Sequence, residues 1–300
     1  MSWASWSGGA LLVAGFAIAA PAQDSAHDLQ RVTWEAMSAR SGTAVLISID
    51  SGKVLASYKL EVAAHRLATP GSTIKPFTLL ALFASGQFDP AQTILCRRSL
   101  TIAGKRMDCS HPQPPGPLDA TAALAYSCNY YFATAAEHLT GEGLRQTFDR
   151  AGLLSPTGMV PEEAAGEFRA PANREQIQLL ALGENGIAVT PLELLRAYRG
   201  LALRQVQGDR SQEWHVIWQG LRSSAEFGMG HAAQPAEFMV AGKTGTAGSS
   251  PTTHGWFVGY APSDHPEIAL VVYLEQGRGA DAAAVAGKIF AAYRGARGAR

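Results

Sequence analysis

The apolar positions of the chain follow two different rhythms, and the change between them predicts its architecture. Residues 43–50 and 53–58 are rich in β-branched and apolar side chains and flank Asp50-Ser51-Gly52, so they predict an antiparallel hairpin. Before it, Leu29, Val32 and Ala36 fall on one side of a short amphipathic helix over 27–40. From residue 90 to about 203 the apolar spacing becomes helical between Pro and Gly breaks, predicting helices over 120–126, 129–139, 144–151, 174–182 and 191–203. Residues 204–220 are polar and carry no assignable element, and 221–229 reads as one more helix. Strands return over 238–248, 255–260 and 267–274, and an alanine-rich helix over 280–293 closes the pattern.

Early and late strands around a helical insert predict an α+β fold. One antiparallel sheet is completed by both ends of the chain and flanked by helices, with a mainly helical subdomain inserted over about 73–230. No repeat or long linker divides it, so 23–300 reads as a single domain.

Composition narrows the partners. Lys plus Arg and Asp plus Glu are 25 each in 300 residues, leaving no net field to attract nucleic acid or anionic lipid. The first charged side chain is Asp24, and residues 9–20 are nearly all apolar before Ala20-Pro21-Ala22, a small-x-small site. Residues 1–22 therefore read as a secretory signal peptide cut before Gln23, or as an uncleaved membrane anchor. Export places the domain in the periplasm or cell envelope, where Cys96 and Cys109, flanking a hairpin turn at Ile102-Ala103-Gly104-Lys105, could join as a disulfide or stay as buried thiols. Cys128 is the odd one, and the cysteine spacing matches no zinc pattern, so no metal ligand is assigned.

Three short stretches carry candidate chemistry. In Pro70-Gly71-Ser72-Thr73-Ile74-Lys75-Pro76 a turn precedes a helix predicted over 73–84, with Ser72 as its N-cap. The i, i+3 spacing puts the Ser72 hydroxyl and Lys75 amine on one face, where a lysine kept neutral by burial could take the serine proton. Ser127-Cys128-Asn129, between two predicted helices, sets a hydroxyl and a carboxamide at i and i+2. They could relay a proton and bind Lys75 and a substrate carbonyl, or simply cap the following helix. Ala241-Gly242-Lys243-Thr244-Gly245-Thr246-Ala247 reads as an exposed strand edge suited to a peptide added as a further strand, its terminal carboxylate held by cation and hydroxyls. A phosphate loop is excluded, because Glu237 stands where the required first glycine would be.

In this order the three stretches, with Thr190-Pro191-Leu192 and Gly255-Trp256-Phe257-Val258-Gly259-Tyr260-Ala261-Pro262, resemble the penicillin-binding transpeptidases and serine β-lactamases, most of all the former. The resemblance implies Ser72 as acyl-forming nucleophile, Lys75 as its general base, Ser127 as proton shuttle and Asn129 as positioner. It implies Lys243, Thr244, Gly245 and Thr246 as the substrate-binding edge, and the N–H groups of Ser72 and Thr246 as the oxyanion hole. The substrates implied are peptidoglycan stem peptides ending in D-Ala-D-Ala, and β-lactams, with cell-wall assembly proteins as further partners and no cofactor. The competing readings are a β-lactamase, a D,D-carboxypeptidase, and a non-catalytic penicillin sensor or scaffold. Against the β-lactamase, Pro161-Glu162-Glu163-Ala164-Ala165-Gly166 lacks the Leu-Asn of the hydrolytic loop and resembles a transpeptidase loop instead. His254 reads as a loop histidine, and the six tryptophans as packing or signal residues.

Overall fold

The computed structural model describes residues 22–293 except 115 and 249–251. The signal-peptide or anchor reading of 1–22, with its cut before Gln23, thus lies almost wholly outside the described residues. No helix among the described residues is long and apolar enough to cross a membrane.

In chain order the elements are α1 (Ala22–Met37), β1 (Gly42–Ser48), β2 (Val54–Tyr58), α2 (Leu60–His65), a 3-10 turn (Gly71–Ile74) and α3 (Lys75–Ala84). Next come β3 (Thr101–Ile102), β4 (Lys105–Arg106), α4 (Ala120–Ala125), α5 (Asn129–Ala135), α6 (Gly141–Arg150), β5 (Glu167–Phe168), α7 (Arg174–Ala181) and β6 (Ile187–Ala188). The chain then forms α8 (Pro191–Val206), α9 (Gln212–Glu226), β7 (Ala241–Ala247), β8 (His254–Ala261), β9 (Ile268–Leu274) and α10 (Gly279–Ala292).

The main sheet runs β2-β1-β9-β8-β7 and is antiparallel throughout, with β1 paired along its length to β9 from Gly42↔Leu274 to Ser48↔Ile268. All seven residues of β9 are buried, because both faces of the sheet are covered. Period-two alternation divides its side chains. Val45, Ile47, Val271, Tyr273, Trp256 and Val258 face the helical lobe, whereas Ala44, Leu46, Leu270, Val272 and Phe257 face α10 and α1. The α+β sheet built from both chain ends is therefore observed, and the order leaves β7 at an edge.

One local reading changes and one is observed as expected. Residues 212–220 do not lack structure: they are the first part of α9, whose Val216, Ile217, Gly220 and Leu221 are buried. A Cβ on Gly220 would lie 2.8 Å from Leu124, so α9 lies close on α4. The predicted turn at 102–105 is present, with Ala103 and Gly104 both at positive φ between β3 and β4.

Candidate active site

The Ser72 stretch does not start its helix as expected. Gly71–Ile74 is a 3-10 turn, α3 begins at Lys75, and the cap positions Pro70 and Ile74 make no side-chain cap bond. Ser72 is thus not the N-cap, and its part-buried hydroxyl is not committed to one. Pro76 sits in the first turn of α3, where it displaces no helical hydrogen bond.

Backbone contacts lock this turn in place. Gly71 has φ +52 and donates its N–H to the Gly183 carbonyl at 2.9 Å. A Cβ on Gly71 would lie 2.9 Å from the Thr246 carbonyl oxygen and 3.3 Å from its nitrogen, and one on Gly245 would lie 2.6 Å from the Pro70 carbonyl oxygen. Glycine at both positions is what lets edge strand β7 lie against the turn, bringing Thr246 alongside Ser72. From the lobe, Tyr198 of α8 donates its hydroxyl to the Thr73 carbonyl at 2.8 Å. Helix α8 is itself set by a capping box between Thr190 and Glu193.

Lys75 is fully buried. Its Nζ donates to the Asn129 Oδ1 at 2.7 Å, the Ser127 carbonyl at 2.8 Å and the Ser127 Oγ at 3.3 Å, and lies 5.2 Å from the Phe132 ring centre. Three acceptors suit the three protons of an ammonium; a neutral amine has two, so deprotonation frees one direction for a lone pair. Desolvation brings the Lys75 pKa down to about 8. The same burial, with Lys75 nearby, holds Lys243 well below the ordinary lysine value.

Ser127 adopts φ +56, a conformation uncommon outside glycine, between α4 and α5. The cap of α5 is the Cys128 sulfur, which accepts the Tyr131 N–H. Neither Ser127 nor Asn129 is used as a cap, and Asn129 instead gives its Nδ2 to the Met107 carbonyl at 3.0 Å.

On β7, Lys243 and Gly245 point to one face and Thr244 and Thr246 to the other. Lys243 Nζ donates to the Thr244 carbonyl at 3.2 Å, and the Thr246 hydroxyl accepts the Gly279 N–H at 2.8 Å, leaving its own proton free to donate.

Two positioning groups escaped the sequence reading. His254 is the first residue of β8, not a loop residue, and its Nε2 lies 2.9 Å from the Thr69 carbonyl, which also accepts the Trp256 indole N–H at 3.0 Å. Both fix the segment entering the Ser72 turn. The adjacency of His254 and Trp256 to a strand that pairs with β7 is the signal that could have found them.

Glu163 is spent on its own loop. It accepts from Val160 N at 2.8 Å, the Thr157 hydroxyl at 2.8 Å, Gly158 N at 3.3 Å and Thr157 N. Desolvation opposes its charge, but these donors outweigh it and hold the carboxyl below its usual value. Finally, all three cysteines are free, with Cys96 and Cys109 sulfurs 3.6 Å apart, and His111 joins them, its Nε2 3.7 Å from Cys96 Sγ. A histidine therefore accompanies the cysteines, although their spacing matched no zinc pattern in the sequence.

Residues 42–293 match the family described as penicillin binding protein transpeptidase domain. Peptidoglycan D,D-transpeptidase MrdA of Acinetobacter baumannii is 24% identical over 278 residues, covering 74% of this chain and 41% of that protein. The chain spans about half the length, or less, of the curated relatives it matches. Pseudomonas aeruginosa PBP2 in complex with WCK 5153 has the same fold, with a TM-score of 0.77 at 22% identity over 89% of this chain and 74% of that one. So does the PBP2 of a Helicobacter pylori complex with MreC, with a TM-score of 0.77 at 16% identity over 87% and 61%.

Proposed function

The chain belongs to the penicillin-binding protein transpeptidase domain family, and on that premise we propose that it is a serine D,D-transpeptidase acting on D-Ala-D-Ala stem peptides through an acyl-enzyme on Ser72. The observation that carries this reading is the buried Lys75 amine, held by both Ser127 and Asn129 and lowered to about 8.

In the proposed reaction Ser72 Oγ attacks the carbonyl carbon of the penultimate D-Ala while Lys75 takes its proton. The oxyanion is held by the N–H groups of Ser72 and Thr246, a contribution of about two to three decades in rate per donor. Collapse breaks the C–N bond, and the proton passes from Lys75 through Ser127 to the departing amine of the terminal D-Ala. An acceptor amine then attacks the ester and regenerates the Ser72 hydroxyl. The terminal carboxylate lies along β7, with Lys243 as counter-charge and Thr244 and Thr246 as hydroxyl donors, and the place of β7 at the end of the sheet, though six of its seven residues are buried rather than exposed, supports the peptide as an added strand. A β-lactam, which shares the carboxylate and whose amide is activated by ring strain, acylates Ser72 by the same route.

The saturated carboxylate of Glu163 disfavours a β-lactamase, whose activity needs a base free to activate water. Export to the cell envelope and contact with a cell-wall assembly protein belong to the same proposal. The partner reading is supported by the fold shared with a PBP2 that was solved with MreC.

The test is incubation with a synthetic D-Ala-D-Ala stem peptide and an amine acceptor, following hydrolysed and cross-linked products separately. Cross-linked product lost in Ser72→Ala is expected. Hydrolysed product alone means a carboxypeptidase, rapid turnover of a labelled penicillin means a β-lactamase, and no adduct at all means a binding protein.

A further inference from the structure

Behind the Ser127-Cys128-Asn129 turn lies a second cluster of chemistry that the acyl-transfer reaction does not use. Cys96, Cys109, His111 and Cys128 are all buried, and their ligand atoms all lie within 4.8 Å of one another. We propose that these four side chains form a Cys3His site for zinc(II) that clamps the 96–111 hairpin segment onto the Ser127-Cys128-Asn129 turn.

The spacings fit a tetrahedron. With Zn–S about 2.3 Å and Zn–N about 2.0–2.1 Å, its edges are about 3.8 Å between sulfurs and about 3.6 Å between sulfur and nitrogen. Three of the six observed edges are 3.6 Å for Cys96–Cys109, 3.7 Å for Cys109–Cys128 and 3.7 Å from Cys96 to His111 Nε2, and the other three lie within 4.8 Å, so that a small contraction around the ion would close the tetrahedron. The tautomer fits as well. His111 Nδ1 lies 2.7 Å from the Pro112 carbonyl, which can only accept, so the proton is on Nδ1 and the Nε2 lone pair faces the sulfurs. Each sulfur accepts a backbone N–H: Cys96 from Arg98 at 3.3 Å, Cys109 from Tyr130 at 3.3 Å and Cys128 from Tyr131 at 3.4 Å. Such donors stabilise thiolates, the form that binds zinc.

A Cys96–Cys109 disulfide would use two of the four groups and leave Cys128 only as the cap of α5 and the oriented imidazole without a role. Zinc uses all four and leaves no open position, which makes the site structural. On binding, the three thiol protons leave to solvent, and zinc neither gains nor loses electrons. Cys128 joins Ser127 to Asn129, and Asn129 is tied to Met107 of the same hairpin segment, so the metal would hold the positioner and shuttle through their own backbone.

The experiment uses the full chain purified from zinc-supplemented cells without chelator. Metal analysis is expected to give one zinc per chain, and cobalt(II) replacement to give the visible spectrum of a tetrahedral thiolate site. Cys96→Ser and His111→Ala are expected to lose stoichiometric zinc, and chelation of the wild type to lower its melting temperature and slow penicillin acylation by about tenfold to a hundredfold, through misplacement of Asn129 and Ser127. Zinc-free protein with a Cys96–Cys109 disulfide in non-reducing peptide maps would overturn the proposal, as would cobalt bound without thiolate absorption. These readouts are independent of whether the acyl group goes to an amine or to water.

Discussion

The lowered pKa of Lys75 gives the acylation step a definite pH dependence. Lysine normally titrates at 10.5, and burial brings Lys75 down to about 8. At pH 7 about one tenth of the molecules then carry the free amine, and at pH 9 about nine tenths, whereas an unshifted lysine would go from about 0.03% to about 3%. The second-order rate of acylation should therefore rise about tenfold between pH 7 and 9 and level off above. Folding stability carries the same signature. The unfolded chain binds the Lys75 proton more tightly between pH 8 and 10.5, so stability rises with pH across that window. Below it the burial costs about 3 kcal/mol relative to an ordinary lysine. The assay is rapid-mixing acylation by a fluorescent penicillin from pH 6 to 10, with Lys75→Ala as control, which should fall by about 10²–10⁴ and lose the pH dependence. A rate flat from pH 7 to 9, or still rising hundredfold per two units at pH 9, would refute the assignment of Lys75 as the base.

Further outcomes follow from the surroundings of Ser72. Because burial already pushes Lys243 toward its neutral form, affinity for a penicillin should weaken as pH rises, while the methyl ester of the same drug, lacking the carboxylate, should show no such trend in binding measurements. Gly245→Ala drives a Cβ into the Pro70 carbonyl and separates Thr246 from Ser72, so acylation should drop by about 10²–10³ with the protein still folded by circular dichroism. His254→Phe and Trp256→Phe each leave the Thr69 carbonyl one donor and should cost about 1 kcal/mol apiece. The double variant orphans that carbonyl and should cost more than their sum in chemical denaturation. Glu163→Gln should lower stability by about 1 kcal/mol or more and leave the lifetime of the penicilloyl-enzyme unchanged in a chase experiment.

The sheet was legible because its strands are short apolar runs bounded by turn residues, and β1, β2, β8 and β9 lie where the alternation puts them. The motif residues were legible because their chemistry is local: a hydroxyl and an amine at i, i+3, a hydroxyl and an amide at i, i+2. What escaped depends on contacts between distant segments. The first half of α9 reads as polar until Val216 and Ile217 are seen to be buried and Gly220 to lie against Leu124 of α4. Ser72 looks like a cap until the preceding glycine turns the chain into a 3-10 turn. His111 has no ligand spacing with Cys96 or Cys128, and only the fold of the 96–111 segment brings its imidazole to the sulfurs.

The pairing of β1 with β9 also orders events in time. Ser72 and Lys75 are made early, but the strand that completes their sheet, and Thr246 beside Ser72, come from the last quarter of the chain. A chain emerging from its amino end therefore carries Ser72 without the Thr246 strand, the second half of the proposed oxyanion hole, until its far end arrives, and such long-range closure is slow. On the proposed mechanism a penicillin would meet no complete site during that interval, and would capture only molecules that have finished folding.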